Sequence, residues 1–280
     1  MIYLKKSNEE IKYEIPCKTP EEFWEKLSPL KLINNKNIIY RGQKNATWNL
    51  IPGVLRSRYS SLKTSADQIF FEKAILHQFA EQCDQIGLRI PNDSIEFRKL
   101  LHPQSIHSEE YYMSPSKWPD KQLLELMALA QHHGLPTQLL DWSKRSYIAA
   151  YFAASSALAN PEPNTKISVW ALDLSKLEQC NNIQIVKVPG STSSNLSAQF
   201  GLFTVLQHRV HRSEPYPFSA LENEFDSWKE APIQNITLPE KHARIILRYC
   251  DLHGVSASTL FPDYSGAVKS VKDWINLMCF

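Results

Sequence analysis

The stretch Ser146–Ala159 (SYIAAYFAASSALA) constrains this chain more than any other. Its alanines and serines, broken by a few aromatics, read as a helix suited to close packing against a sheet. Short apolar runs supply the strands. Asn37–Gly42 (NIIYRG) ends in a charged residue and reads as a buried strand. The β-branched content of Ile167–Leu174 and Ile183–Val188 gives two more, and Gly201–Gln207 adds another. The expectation is an α+β fold with a mixed or antiparallel central sheet and flanking helices.

The remaining helices are signalled by their ends. Thr19–Leu27 opens with a capping box: Thr19 precedes Pro20 at the first helical position, Glu22 follows three residues after Thr19, and Phe23 and Leu27 are apolar. Ser65–Cys83 carries Ile69, Phe70, Ala74, Leu76 and Phe79 at helical spacing. Lys121–His132 is rich in leucine, is stopped by Gly134, and cannot continue past Pro136. Pro91–Pro119, rich in proline and polar groups around Tyr111, Tyr112 and Met113, reads as an exposed or mobile insertion. A helix over Glu240–His253 closes at Gly254, LFPDYSG turns the chain, and a last helix begins near Gly266. With no internal repeat or low-complexity tract, one domain over residues 1–280 is expected, its core from about 20 to 275.

Composition narrows the classes. At 43% hydrophobic and 21% charged, the chain can bury a substantial core, unlike a disordered segment. The net charge of +2 supplies no global basic field for nucleic acid, although a local basic patch is compatible with it. No apolar stretch reaches the ~20 residues needed to cross a bilayer. Lys5, Lys6, Glu9 and Glu10 interrupt any signal core near the start. Cys17, Cys83, Cys180, Cys250 and Cys279 are scattered without a CxxC pair, which fits reduced thiols. The chain is therefore expected in the cytoplasm, off the membrane.

Polar chemistry concentrates in three segments that are expected to form one site. In Tyr40–Gln43, Arg41 ends a buried strand, and a desolvated guanidinium needs an anion. A phosphate or carboxylate ligand and an internal Asp or Glu stand level as its partner. Gly42 lets the backbone turn or approach a ligand, while Arg56 and Arg58 read as solvated. In Gln131–Ser143, the adjacent His132 and His133 point apart and no third ligand stands at useful spacing, so no metal is expected. His133 and Asp141 meeting across the turn would make a general-base pair; Asp141 capping the next helix, or ordering the loop, is the blander role. In Asn195–Phe203, Gln199 reads an amide or base edge, or else satisfies a strand end. Gly190–Ser194 before it reads as a flexible loop.

Together these blocks resemble the FRG domain, a bacterial and phage-associated family named for a Phe-Arg-Gly signature, here Tyr40-Arg41-Gly42-Gln43. Trp48–Arg56 (WNLIPGVLR), Ala130–Ala154 (AQHHGLPTQLLDWSKRSYIAAYFAA), Ala198–Thr204 (AQFGLFT) and Lys241–Gly266 carry the rest of the resemblance. The chain departs from the family at Gln138, where arginine is usual, and at Asn195, where a basic residue is favoured. Both departures remove positive charge from an anion site. A more distant resemblance is to ADP-ribosyltransferases of the arginine–serine–glutamate type, and it implies a core of that kind. Arg41-Gly42 matches their first-strand Arg-Gly, and Asp141-Trp142-Ser143 leading into Ala149–Ala154 matches their Ser-Thr-Ser strand and helix. Gln199 stands where the glutamate precedes their Gly-x-Phe-x-Val strand, here Gly201–Val205. An amide keeps hydrogen bonding without the charge, and losing one such electrostatic contribution costs ~10²–10³ in rate. Asp141, Glu222 or Glu224 would then have to serve.

The resemblance implies NAD as the substrate, contacted by Arg41, Gly42, Gln43, His132, His133, Thr137, Trp142 and Phe203. Arg41, Asp141, Ser143 and Gln199 would carry transfer to a protein or nucleic-acid target, or hydrolysis, in a toxin or anti-phage effector. The alternative is a module that senses a nucleotide or nucleic acid without turnover. A nuclease using His132, His133 and Asp141, and a scaffold whose polar residues are all structural, rank behind these.

Overall fold

The apolar runs pair into one sheet of seven strands: β1 (Glu14–Pro16), β2 (Ile38–Gln43), β3 (Leu140–Ser143), β4 (Lys166–Asp173), β5 (Ile183–Val186), β6 (Gly201–Leu206) and β7 (Ile233–Pro239). The computed structural model describes residues 11–32, 37–56, 62–189, 194–208 and 219–278. The spatial order is β1-β7-β4-β2-β3-β6-β5. β1 runs parallel to β7 and the other pairs are antiparallel, so the sheet is mixed and the fold is α+β, as expected.

Eleven helices surround the sheet among the described residues: α1 (Pro20–Lys26), α2 (Gly53–Arg56), α3 (Ser65–Gln85), α4 (Ile95–Leu101), α5 (Ile106–Met113), α6 (Leu124–His132), α7 (Ser146–Ala159), α8 (Ser194–Ala198), α9 (Ala243–Leu252), α10 (Ala257–Leu260) and α11 (Tyr264–Met278). No helix among the described residues is long and apolar enough to cross a membrane. Thr19 caps α1 as its sequence requires, accepting from the Glu22 amide. α7 occupies the residues expected of it. It packs with α9 on the face that carries Tyr40, Val169, Ala171 and Ile236. The contact depends on Gly42. A Cβ there would lie 1.9 Å from the carbonyl oxygen of Ala149 and 2.8 Å from the amide of Ala153. The absent side chain of Gly42 thus admits a helix backbone, and that close approach is its structural role. On the opposite face Ile39, Trp170, Leu172 and Trp142 meet Leu50, Leu221 and Phe225.

α3, α4, α5 and α6 build a second layer against β5 and β6. Residues 91–119 differ from the expectation of an exposed insertion. Phe97, Leu101, Tyr111 and Trp118 are all buried there, because α4 and α5 fold their apolar positions onto α3. At the centre of this layer the fully buried Glu72 carboxylate accepts from the Trp118 indole N–H at 2.9 Å and from the Gln138 amide, with the Gln68 side chain at 3.4 Å. Burial outweighs these donors and pushes the Glu72 carboxyl up to about 7.

Two outcomes follow. Gly42→Ala forces Cβ onto a backbone carbonyl and should cost about 3 kcal/mol, the upper end for overpacking, read by denaturant unfolding. For Glu72, the folded pKa lies above the unfolded one, so the folded state binds the extra proton. Its contribution is intact below about pH 4.5 and lost as pH rises toward 7, amounting to about 3 kcal/mol. The melting temperature should fall between pH 5 and pH 7, and Glu72→Gln should flatten that slope. An unchanged slope in the variant would assign the pH dependence elsewhere.

Candidate functional site at a gap in the sheet

β2 pairs with β4 along all six of its residues, from Ile38 to Gln43. It meets β3 through a single pair, Tyr40 opposite Ser143, while β3 pairs with β6 along its whole length. Past that pair the sheet opens, and Arg41 spans the opening. Its Nη1 donates to the Asp141 carbonyl at 2.8 Å and lies 3.4 Å from the carboxylate Oδ2. Its Nε is buried and has no partner.

Asp141 is held from the other side. Its Oδ1 accepts from the Gln131 amide at 2.6 Å; Gln131 in turn accepts from the Thr137 hydroxyl, and that hydroxyl accepts from the Leu139 amide at 3.1 Å. The end of α6 and the turn after it therefore aim the carboxylate. Asp141 does not cap α7: Arg145 sits at that cap without a side-chain bond, and Ser143 accepts from the Arg145 amide at 3.0 Å.

The third segment is pinned to β3. The Ser143 hydroxyl donates to the Gln199 carbonyl at 2.7 Å, and the Lys144 amide donates to the Phe200 carbonyl at 3.1 Å. Phe200 takes a left-handed conformation, φ +49°, to close the turn. This places Gln199 with His132, Asp141 and Phe203 around a cavity of about 30 Å³. The Gln199 side-chain amide donates to the Leu260 carbonyl at 3.2 Å. Burial, and then the neighbouring His133, lower the His132 pKa, while Asp141 opposes the shift. Asp141, His132, Gln199 and Phe203 thus meet at one small cavity, and Arg41 touches it through Asp141.

Other candidates serve the framework. Trp142 is buried and donates its indole N–H to Thr204 at 2.9 Å, and Gln43 is buried and accepts from Trp170 at 3.1 Å. Thr137 and Ser143 are buried in the bonds above, and His133 is exposed at the C-cap of α6. Glu222 accepts from the Leu50 amide at 3.0 Å and Glu224 from Asn182 at 2.9 Å, so both carboxylates are engaged away from Asp141. Gln138, one of the two family departures, is 3% exposed and bonded within the Glu72 network, not to the surface. Arg58 and residues 190–193 lie outside the described residues, as does the side chain of Asn195. Among the described residues no group of three His, Cys, Asp or Glu is placed to hold a metal ion.

The larger opening beside Arg41 is a cleft of about 480 Å³ that brings Arg41, Lys44, Arg56, Lys269 and Lys272 together with the aromatic rings of Trp48 and Phe261. Arg56 lies at the exposed end of α2. Crowding by protein, and then the Arg41 charge, hold its guanidinium below the ordinary value, while Asp141 opposes them. The sequence reading took Arg56 as solvated and assigned no role to the two lysines. Their spacing of three on a terminal helix, which puts both on one face, was the available signal.

The Arg41–Asp141 pair has one partner 14% exposed and the other 59%. Solvent screens such a pair, so Asp141→Asn should cost about 1 kcal/mol or less in a denaturant melt. A loss of about 3–5 kcal/mol would mark a buried structural ion pair instead.

Comparison with curated proteins and with solved structures gives no match. The FRG domain model matches residues 36–162, which run from the start of β2 through α7 and hold Arg41, the α6–β3 turn and Asp141, but not Gln199. The Tyr40-Arg41-Gly42-Gln43 signature on β2 and the HHGLPTQLLDWS block leading into α7 both lie inside this match, so residues 36–162 carry an FRG domain.

Proposed function

We propose that the chain binds a phosphate-bearing nucleotide in the cleft at the β2–β3 gap, with NAD the first candidate. The observation that carries this is the guanidinium of Arg41, which lines the cleft with a buried Nε bonded to nothing. A guanidinium presents a planar fork of donors that matches phosphate oxygens, and a buried donor without an acceptor is costly. Arg56 beside it raises the local positive charge, and an anion between the two would relieve their repulsion. The volume, about 480 Å³, falls within the roughly 300–1,000 Å³ of small-molecule sites.

Bound NAD would supply a glycosidic carbon that becomes electrophilic as nicotinamide leaves. Arg41 and Arg56 hold the phosphates in this reading. Asp141, bonded to Arg41 from the small neighbouring cavity, supplies a carboxylate in this reading, and His132 beside it in that cavity, its pKa lowered by burial, is a hydrogen-bonding partner for a ribose. This is the ADP-ribosyltransferase-like reading, with transfer to a target or hydrolysis as its outcomes. Binding without turnover is the second reading. Gln199, in the glutamate's place, has its amide spent on Leu260, and both Asp141 oxygens already have partners.

Calorimetry with NAD, paired with chromatography for released nicotinamide, tests both. Binding is expected in the parent chain, weakened by about tenfold or more in Arg41→Ala, a loss of about 1.4 kcal/mol. Nicotinamide release that disappears in Asp141→Asn would support turnover, and NAD intact after hours with the parent would support a sensor. No heat at millimolar NAD would overturn the choice of ligand.

A further inference from the structure

We infer that the ligand of this cleft carries two adjacent phosphates and that α11 grips the second through Lys269 and Lys272. The inference rests on the nucleotide reading above and extends it to a part of the chain outside the FRG match.

The count of charges leads there. Two of the cleft cations are already balanced, Arg41 by Asp141 and Lys44 by Glu162 at 2.5 Å. Among the described residues Arg56, Lys269 and Lys272 form no salt bridge. The carboxylate lining the same cleft, Asp273, accepts from the Tyr151 hydroxyl at 2.7 Å, and burial raises its pKa, which weakens it as a counter-charge. Three cations face one weakened acid in the lining, with Asp263 acting on Lys269 from outside it, and the remaining excess is matched better by a diphosphate, with two or more negative charges, than by a phosphate monoester.

The lysines are also held in place. Lys269 Nζ sits 3.5 Å from the centroid of the Phe261 ring, an approach that fixes the ammonium. Burial lowers the Lys269 pKa, Asp263 and Asp273 oppose that shift and Lys272 adds to it, and an anion at this spot would oppose it further. The Tyr151–Asp273 bond ties α11 to α7, the helix that also packs on Gly42, and this sets the distance between the lysines and the arginines.

The experiment is calorimetry of the full chain with AMP, ADP and inorganic pyrophosphate. The variants are Arg41→Ala, the pair Lys269→Ala/Lys272→Ala and the pair Lys269→Arg/Lys272→Arg, with circular dichroism to verify folding. ADP should bind about tenfold or more tighter than AMP, a conventional 1.4 kcal/mol. The alanine pair should bring ADP down to the AMP level and leave AMP unchanged, while the arginine pair keeps the difference. Equal binding of AMP and ADP, an alanine pair that binds ADP like the parent, or an equal loss for both nucleotides would each overturn the role of α11 and leave the nucleotide reading standing. Failure of AMP, ADP and pyrophosphate alike would remove both. If the alanine pair does not fold, the parent's AMP–ADP comparison and the arginine pair still decide the matter.

Discussion

Between β2 and β3 the sheet is continuous at one residue pair, and the molecule's chemistry gathers where that continuity ends. The break has a cause in packing. β2 is drawn toward β4 along its full length and toward α7 by Gly42, whose missing Cβ lets a helix backbone come within contact. β3 pairs with β6 along its whole length, while its Leu140 and Trp142 share one core with Ile39 of β2. The two strands are thus committed to different neighbours in the sheet and meet each other at one pair. A single guanidinium then bridges them with one N–H group on a carbonyl, and keeps its Nε in reserve.

The second helical layer also positions the site. Glu72 on α3 accepts the amide of Gln138, and the adjacent Thr137 starts the chain of hydrogen bonds that runs through Gln131 and Asp141 to Arg41. Gln138 belongs to this support: its backbone amide donates to Glu72, its side chain accepts from Gln68, and burial pushes the Glu72 carboxyl up to about 7. The cleft keeps its cations on other elements.

Elements with a local signature were legible from the sequence. α7 could be read because small residues recur along its whole length between a few aromatics, and α1 because Thr19, Pro20 and Glu22 form a recognisable start. β7 was not anticipated: Asn235 and Thr237 are buried, so the polar–apolar alternation that betrays a half-exposed strand is missing. Residues 91–119 misled because proline and polar groups suggested a surface excursion, whereas Trp118 and Tyr111 are buried anchors. At the site, motif order led to one cleft for Arg41, Asp141 and Gln199; Asp141 and Gln199 line a small cavity, and Arg41, bonded to Asp141, lines the larger cleft. The contributions of Arg56, Lys269 and Lys272 depend on which elements meet beside Arg41, a tertiary fact whose local trace is the spacing of the two lysines alone. Trp142 is claimed by Thr204 through burial, while Gln43, bonded to Trp170, still lines the cleft with Arg41 and Gly42.

Electrostatics unify these features. A chain of net charge +2 has assembled five cations around one opening, so the concentration of charge is local and is compensated elsewhere on the surface. The most direct test follows Arg41 Nε, which is buried and has no partner among the described residues. In a sample with nitrogen-15 in its arginines, titration with inorganic pyrophosphate should shift the Arg41 and Arg56 Nε–H resonances together and to saturation. If both stay fixed while resonances elsewhere move, the anion binds at another place and the cleft at the β2–β3 gap is not its site.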